Sequence, residues 1–395
     1  MKLPSTNKWE KVRLTEICSP KQWKTLSTKE MIGEGFPVYG ANGIIGFHSN
    51  FNHERPTILV TCRGATCGSL NISKPFSYVN GNAMALDDLD EARVSLRFLF
   101  YFLKFTGFNS VISGSAQPQI TKSNLEKIWV KFPELRLQER IVAKLDSLLA
   151  RVESCRAHLD RAAAAIKRFR QSIFNLAVLH SSDSCVSKSD KILNVKGSDV
   201  FSFITSGSRG WAQYYSDKDG DIFLRITNLN FDSLDLDLES AKIQRVIPPQ
   251  NAEGRRTLVN ENDVLISITG DVGMIGLVPP FLHQKGYINQ HIALARPNSR
   301  VVPEYLCYFL MSKKGGHRQF SLLKRGATKS GLTLIDIKNL CIPLPDLATQ
   351  KQVVKRIQHL LKNVEKTEKQ LESARKRIEV ITASILAKAF RGELV

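Results

Sequence analysis

Two stretches of the chain carry apolar residues in steps of four and three. The first runs Ile141, Leu145, Leu148, Val152, Cys155, Leu159, Ala162, Ile166, Phe169, Ile173, Leu176. The second runs Val353, Ile357, Leu360, Val364, then Leu371, Ala374, Ile378, Ile381 and Ile385, with Thr367 and Lys388 in step. An average step of 3.5 residues sustained over several heptads keeps one stripe facing a partner, so both stretches are predicted to be coiled-coil helices. The predicted seam is Ile141, Leu145, Leu148, Val152, Leu159, Ile166 and Ile173 against Val353, Ile357, Leu360, Val364, Leu371, Ile378 and Ile385. Pro133 and Pro345 hold the chain extended just before each helix. At the α-helical rise, about 40 residues make a rod of roughly 60 Å. Two matched seams in one chain can bury each other, and the long intervening segment is ample to bring the chain back antiparallel.

The two helices belong to a longer repeat. Pro133-Glu134-Leu135-Arg136-Leu137-Gln138 returns as Pro345-Asp346-Leu347-Ala348-Thr349-Gln350, and the register continues through both helices. Upstream, Ile58-Leu59-Val60-Thr61 resembles Val264-Leu265-Ile266-Ser267, and Tyr78-Val79-Asn80 resembles Tyr287-Ile288-Asn289. Phe98-Leu99 and Tyr101-Phe102-Leu103 resemble Tyr305-Leu306 and Tyr308-Phe309-Leu310. A period this long is a duplicated domain rather than a solenoid. The β-branched runs are predicted strands, each ending in a glycine-containing turn. The fold class is therefore α+β: two globular domains of mixed α/β structure joined by two long antiparallel coiled-coil helices, in a pseudo-two-fold internal repeat. The predicted boundaries are residues 1–132 and 181–344 for the globular domains, and 133–180 and 345–395 for the helical regions.

Charge narrows the function. The chain has 395 residues, with 56 Lys and Arg against 37 Asp and Glu, a net charge of +19. Such an excess favours a polyanionic partner, nucleic acid first. The start of the chain lacks the apolar stretch of an export signal, and no apolar run reaches membrane-spanning length. Seven scattered cysteines with no CxxC pair fit reduced thiols, and with them a cytoplasmic location. The glycine turns 63–68 and 269–273 lack the Lys-Ser/Thr of a phosphate loop and the full GxGxxG of a dinucleotide fold, so they read as tight strand turns. There is no Gly-Lys dipeptide and no Asn/Asp-Pro-Pro-aromatic tetrapeptide, and the histidines form no HExxH cluster. No catalytic residue and no metal ligand is assigned.

The layout resembles the specificity subunit of Type I restriction–modification systems along essentially its whole length. The resemblance rests on Trp9-x-x-Val12-x-Leu14-x-x-Ile17, on Gly35-Phe36-Pro37-Val38-Tyr39-Gly40, and on Phe223-Leu224-Arg225-Ile226-Thr227-Asn228-Leu229. It also rests on the repeated Pro-x-Leu-x-x-Gln pattern and the closing Ile385-Leu386-x-x-Ala389-Phe390-x-Gly392. One departure stands out: the second domain enters on Ile192-Leu193-Asn194-Val195, without the Trp of the first. The resemblance implies a non-catalytic, sequence-specific DNA-binding subunit, not an enzyme by itself. Two target-recognition domains would read a bipartite asymmetric site in double-stranded DNA, spaced by the coiled coil. The helices would dock two modification (methyltransferase) subunits, with restriction/translocase subunits added. S-adenosylmethionine, ATP and Mg would sit on those partners, with no cofactor in this chain and no membrane involved.

Major-groove readout pairs Arg or Lys with guanine and Asn or Gln with adenine. On that basis the expected DNA-binding residues are Arg63, Asn80, Asn82, Gln117, Gln119 and Lys122 in the first domain. Arg225, Asn228, Gln290, His291, Arg325 and Lys329 are their counterparts in the second. The polar loops 113–119 and 324–330, just before each helical region, are the first choice.

Overall fold

The computed structural model describes residues 9–114, 117–179, 193–207, 209–248, 252–325 and 331–395. The chain divides into two compact units, one of residues 1–159 with 373–395 and one of residues 160–372.

In the first unit, β1 (Glu10–Arg13), β2 (Ser19–Gln22), β3 (Phe36–Gly40), β4 (Gly43–His48), β5 (Ile58–Thr61), β6 (Leu70–Ile72), β7 (Tyr78–Val79) and β8 (Ala83–Asp87) precede α1 (Leu96–Thr106). Then come α2 (Lys122–Leu125), β9 (Trp129–Phe132) and the first half of α3 (Leu135–Ile173). The main sheet has the order β2-β8-β5-β6, a smaller one β4-β3-β7, and β1 pairs antiparallel with β9. All four residues of β5 are buried, as a strand covered on both faces requires. Ser95 caps α1 by accepting from the Phe98 amide, and Gly107, at φ +63°, ends it. Phe98, Leu99, Phe102 and Leu103 form its buried face and share one core with Ile141, Leu145, Leu386 and Phe390.

The second unit repeats the plan. After α4 (Leu176–Leu179) come β10 (Leu193–Lys196), β11 (Phe201–Ser206), β12 (Tyr215–Ser216), β13 (Asp221–Leu224), β14 (Gln244–Val246) and α5 (Ala252–Thr257). They are followed by β15 (Val264–Ser267), β16 (Ile275–Leu277), β17 (Gly286–Ile288), β18 (Ile292–Pro297), α6 (Pro303–Met311), α7 (Gly316–Leu323) and α8 (Leu334–Lys338). The unit closes with β19 (Cys341–Leu344) and the first part of α9 (Leu347–Phe390). Its main sheet, β11-β18-β15-β16, matches the first unit strand for strand. Leu59 opposes Ala85 as Leu265 opposes Leu294, and the parallel pair Tyr39–Val79 reappears as Leu224–Ile288. The β1–β9 ribbon returns as β10–β19.

The helices are antiparallel, early residues of one meeting late residues of the other. In the first unit Arg156 donates to Thr382 Oγ1 at 3.5 Å, and Ile141 and Leu145 lie with Leu386 and Ala389. In the second, Arg170 bonds Glu368 at 2.7 Å, and Ile173 lies with Val353, Ile357 and Val364. Of the expected seam, Ile141, Leu145, Ile173, Val353, Ile357 and Val364 are buried, and Leu148, Val152, Leu159, Ile166, Leu360, Leu371, Ile378 and Ile385 are half-buried. The stripe read from sequence is corrected at three of its apolar positions. Phe169 is 51% exposed, Ile381 is 50% exposed, and Cys155 is exposed as well. An α-helix turns every 3.6 residues, so a 3.5-residue step drifts off the contact line. Beside the domains the buried face widens instead, taking in Val142 and Val354, and Phe174 is buried just past the end of α3.

Candidate nucleic-acid interface

In the first unit the end of β5 meets the loop before α2. The Ile120 amide donates to the Cys62 carbonyl at 3.0 Å, and the Gly64 amide donates to the Pro118 carbonyl at 3.1 Å. Ser113 and Gln119 exchange backbone hydrogen bonds of 3.0 and 2.8 Å, pinching the loop at its neck. Gly64 and Gly68 take φ of +87° and +88°, which makes 63–68 the tight strand turn expected from its glycines. These constraints line a cleft of about 360 Å³ with Lys21, Gln22, Arg63, Gln119 and Lys122, three cations and two amides without a carboxylate. Lys21 holds its ammonium 3.8 Å from the Trp23 ring centre, while the Trp23 indole donates to Asp87 at 2.9 Å. Burial pushes the Cys62 thiol up against the pull of Arg63, and as a thiol it donates to the Asn82 carbonyl at 3.4 Å. That hydrogen bond ties the turn carrying exposed Asn82 to the cleft wall.

The second unit builds the same place from different side chains. The Leu332 amide donates to the Ile268 carbonyl, and the Ile268 amide to the His291 carbonyl, both at 2.9 Å. Arg325 and Gly331 exchange backbone bonds as Ser113 and Gln119 do. The Arg325 guanidinium reaches Asp336 at 3.1 Å with its own side chain 72% exposed. Burial pushes the Asp336 carboxyl up, but hydrogen bonds from Thr333 and the charge of Arg325 hold it below the usual range. Gln290 and His291 lie side by side, 3.1 Å apart.

Close approach at the turn after each parallel strand is solved in opposite ways. A Cβ on Gly81 would sit 2.4 Å from Thr25 Oγ1 and 2.5 Å from the Trp23 carbonyl. In the second unit the turn carries Gln290, and the glycine lies across from it: a Cβ on Gly207 would come within 2.3 Å of Asn289.

Arg63, Gln119 and Lys122 are thus brought together, with Asn82 beside them and Gln117 exposed on the same loop. Gln290, His291 and Arg325 stand around the corresponding strand end. Lys329 lies outside the described residues. Two expectations are corrected. Asn228 is fully buried: its carbonyl accepts from the Arg225 amide at 2.8 Å, and its amide donates to the Asp237 carbonyl at 2.8 Å. Asn80 is 1% exposed inside the turn before β8, its amide reaching the Leu26 carbonyl at 3.4 Å. Both bond backbone carbonyls inside turns and, being buried, present no edge to a groove. Arg225 is half-buried and directed at the Lys242 carbonyl, 3.2 Å away. Lys21 and Gln22, which sequence reasoning misses, line the cleft. Their only local signal is a Lys-Gln pair before Trp23; strand pairing of β2 with β8 is what brings them there.

A mixed α/β module built twice, each copy with a polar loop-lined surface and each packed against segments of the two long helices, defines an internally duplicated two-domain protein. The family model for the Type I restriction modification DNA specificity domain matches residues 6–160 and 252–374. The chain belongs to that family, as a specificity subunit. It is 27% identical over 391 residues to the Type I restriction enzyme EcoBI specificity subunit of Escherichia coli, covering 92% of this chain and 76% of that one. The StySPI specificity subunit of Salmonella potsdam is 25% identical over 339 residues, 84% of this chain and 68% of that one. Two solved structures share the fold at 20% identity: a chain from a study of assembly and conformational transition of the type I R-M system, and the HsdS subunit of Thermoanaerobacter tengcongensis. The first has a TM-score of 0.74 with all of both chains covered, the second 0.54 with 100% and 99% covered. Among the described residues no helix is long and apolar enough to cross a membrane.

Proposed function

We propose that this chain is the non-catalytic reader of a cytoplasmic Type I restriction–modification enzyme, each globular domain recognising one half of a split, asymmetric site in duplex DNA. The observation that carries this reading is the contrast between equivalent positions. Lys21 and Thr205, Arg63 and Thr269, Asn82 and His291, and Gln119 and Gly331 occupy matching places in the two registers. One scaffold carries different side chains at matching places: Lys21, Arg63, Asn82 and Gln119 in one copy, but only Thr269 and His291 as accessible donors in the other. That fits two different half-sites, since base identity is read by donor and acceptor pattern. The paired helices would set the gap between half-sites and dock two adenine-methylating subunits. S-adenosylmethionine would bind on those subunits, and ATP and Mg on restriction subunits that join them.

The test is to map methylated adenines in the host genome, then bind the full chain, co-expressed with its methyltransferase, to that site. Duplexes with either half scrambled should bind at least a hundredfold more weakly, since each wrong base pair costs about 1–3 kcal/mol. Equal affinity for intact and half-scrambled duplexes would overturn the reading.

A further inference from the structure

The outward face of the β1–β9 ribbon carries a charge arrangement that folding does not explain. Lys11 stands directly opposite Lys131 in the antiparallel register, and Arg13 directly opposite Trp129. Like charges facing each other across a ladder are destabilising. Lys11 and Lys131 are both exposed, as is Lys127 just before β9. Among the described residues none of the three has a carboxylate within 4.0 Å. Trp129, 43% exposed, holds the Lys11 ammonium 4.5 Å and the Arg13 guanidinium 3.9 Å from its ring centre. The Arg13 guanidinium is fixed further by donating to the Lys127 carbonyl at 3.1 Å. Of the nearby acids, Glu10 is taken up by Arg93, and Glu16 accepts from the Arg13 amide at 2.8 Å.

The repeat supplies the control. In the β10–β19 ribbon the Lys11–Lys131 pair is replaced by Asn194 opposite Pro343, and Arg13–Trp129 by Lys196 opposite Cys341. The same ribbon folds without the clustered cations, so fold alone does not call for them. The strip also follows the cleft closely in the chain: α2 starts at Lys122 on the cleft, and Lys127, Trp129 and Lys131 come next, with the acid Glu126 between them.

We propose that Lys11, Arg13, Lys127 and Lys131, ordered around Trp129, form a phosphate-binding strip that grips the DNA backbone outside the first half-site. The β10–β19 ribbon of the second domain carries no such cluster. The strip rests on the DNA-reading role proposed above and adds an asymmetry to it: sequence-independent grip is concentrated on the first domain.

The experiment uses the full chain in its co-purified complex, with Lys11, Lys127 and Lys131 all changed to Gln. Affinity is measured against salt on two duplexes, one carrying the mapped site and one of equal length with both halves scrambled. A strip on phosphates predicts weaker binding to both duplexes by the same factor, tenfold or more. It also predicts a slope of log affinity on log salt that is shallower by about 0.9 for each phosphate no longer neutralised. A second variant separates grip from structure: Lys131→Glu pairs with Lys11, so it should raise the unfolding midpoint while weakening both duplexes. An unchanged salt slope, a loss confined to the site duplex, or normal DNA binding with failed subunit assembly would each overturn the strip. A wild-type complex that does not distinguish the two duplexes would overturn the DNA-reading role instead, and leaves the slope on either duplex measurable.

Discussion

Gln138 and Gln350 show what one repeated letter does. Both are fully buried at the start of a long helix. Gln138 Oε1 accepts from the Ser95 amide at 2.9 Å, while its Nε2 donates to the carbonyls of Arg93 and Pro133, each at 2.8 Å. Gln350 does the same with the Val302 amide at 2.7 Å and the carbonyls of Arg300 at 3.2 Å and Pro345 at 2.8 Å. Each side chain thus clamps the helix entry to the N-terminus of the domain's principal helix. Gln138→Leu strands one buried amide and deprives two carbonyls of a donor, so it should cost roughly 2–3 kcal/mol. Urea unfolding of wild type and variant would read this as a lower midpoint, and Gln350→Leu should match it. Gln138→Glu should cost more, because a carboxylate would face two carbonyl oxygens with no hydrogen to give. The repeat exposes both glutamines in the sequence, but their role depends on partners more than 40 residues away and is not legible there. Asn80 and Asn228 mislead for the converse reason: as letters they look like groove readers, and only the folded turns show that both side chains are buried away from any groove.

At the level of elements, periodicity predicts burial well where one face is covered throughout and less well where the cover changes along the helix. The strand runs 58–61 and 264–267 are legible because β-branched residues bounded by glycine turns have few other ways to pack. A fixed 3.5-residue step along the helix stripe places Phe169 on the same footing as Leu145. Leu145 is fully buried among Ile141, Leu386 and Ala389, whereas half of Phe169 faces solvent. Leu145→Ala should therefore destabilise the protein by about 2–5 kcal/mol, a transfer loss plus a cavity. Phe169→Ala should stay within about 0.5 kcal/mol of wild type, as surface substitutions do. Thermal unfolding of the two variants side by side checks both, and equal losses would restore Phe169 to the seam. The pairing of the β1–β9 ribbon and the closing of the cleft are not legible, because they join residues far apart in the chain; single cleft residues such as Arg63, Gln119 and Lys122 are legible, but Lys21 and Gln22 are not. Their parts, Lys11 and Lys131 or Arg63 and Gln119, carry no shared local pattern.

For the molecule as a whole, the proposed function makes helix length a determinant of DNA specificity. Deleting seven residues removes two turns and leaves the 3.5-residue stripe in phase, so the seam is preserved while the helix shortens. The equivalent heptads in the two copies are 161–167 in α3 and 373–379 in α9. Removing both takes about 10 Å from each helix at 1.5 Å per residue. Duplex DNA rises about 3.4 Å per base pair, so the preferred gap between half-sites should shorten by about three base pairs. Methylation of a duplex library with gaps varied one base pair at a time would locate the new optimum, with both half-site sequences kept. Deleting four residues from each helix serves as the control, since that turns the stripe away from its partner and should lower stability instead of moving the gap. An optimum that stays in place in a stably folded heptad deletant would separate spacing from the helices and leave the gap to the domains themselves. A shifted optimum with unchanged half-sites would assign distance to the helices and leave base identity with the globular domains, two properties that could then be altered independently in one chain.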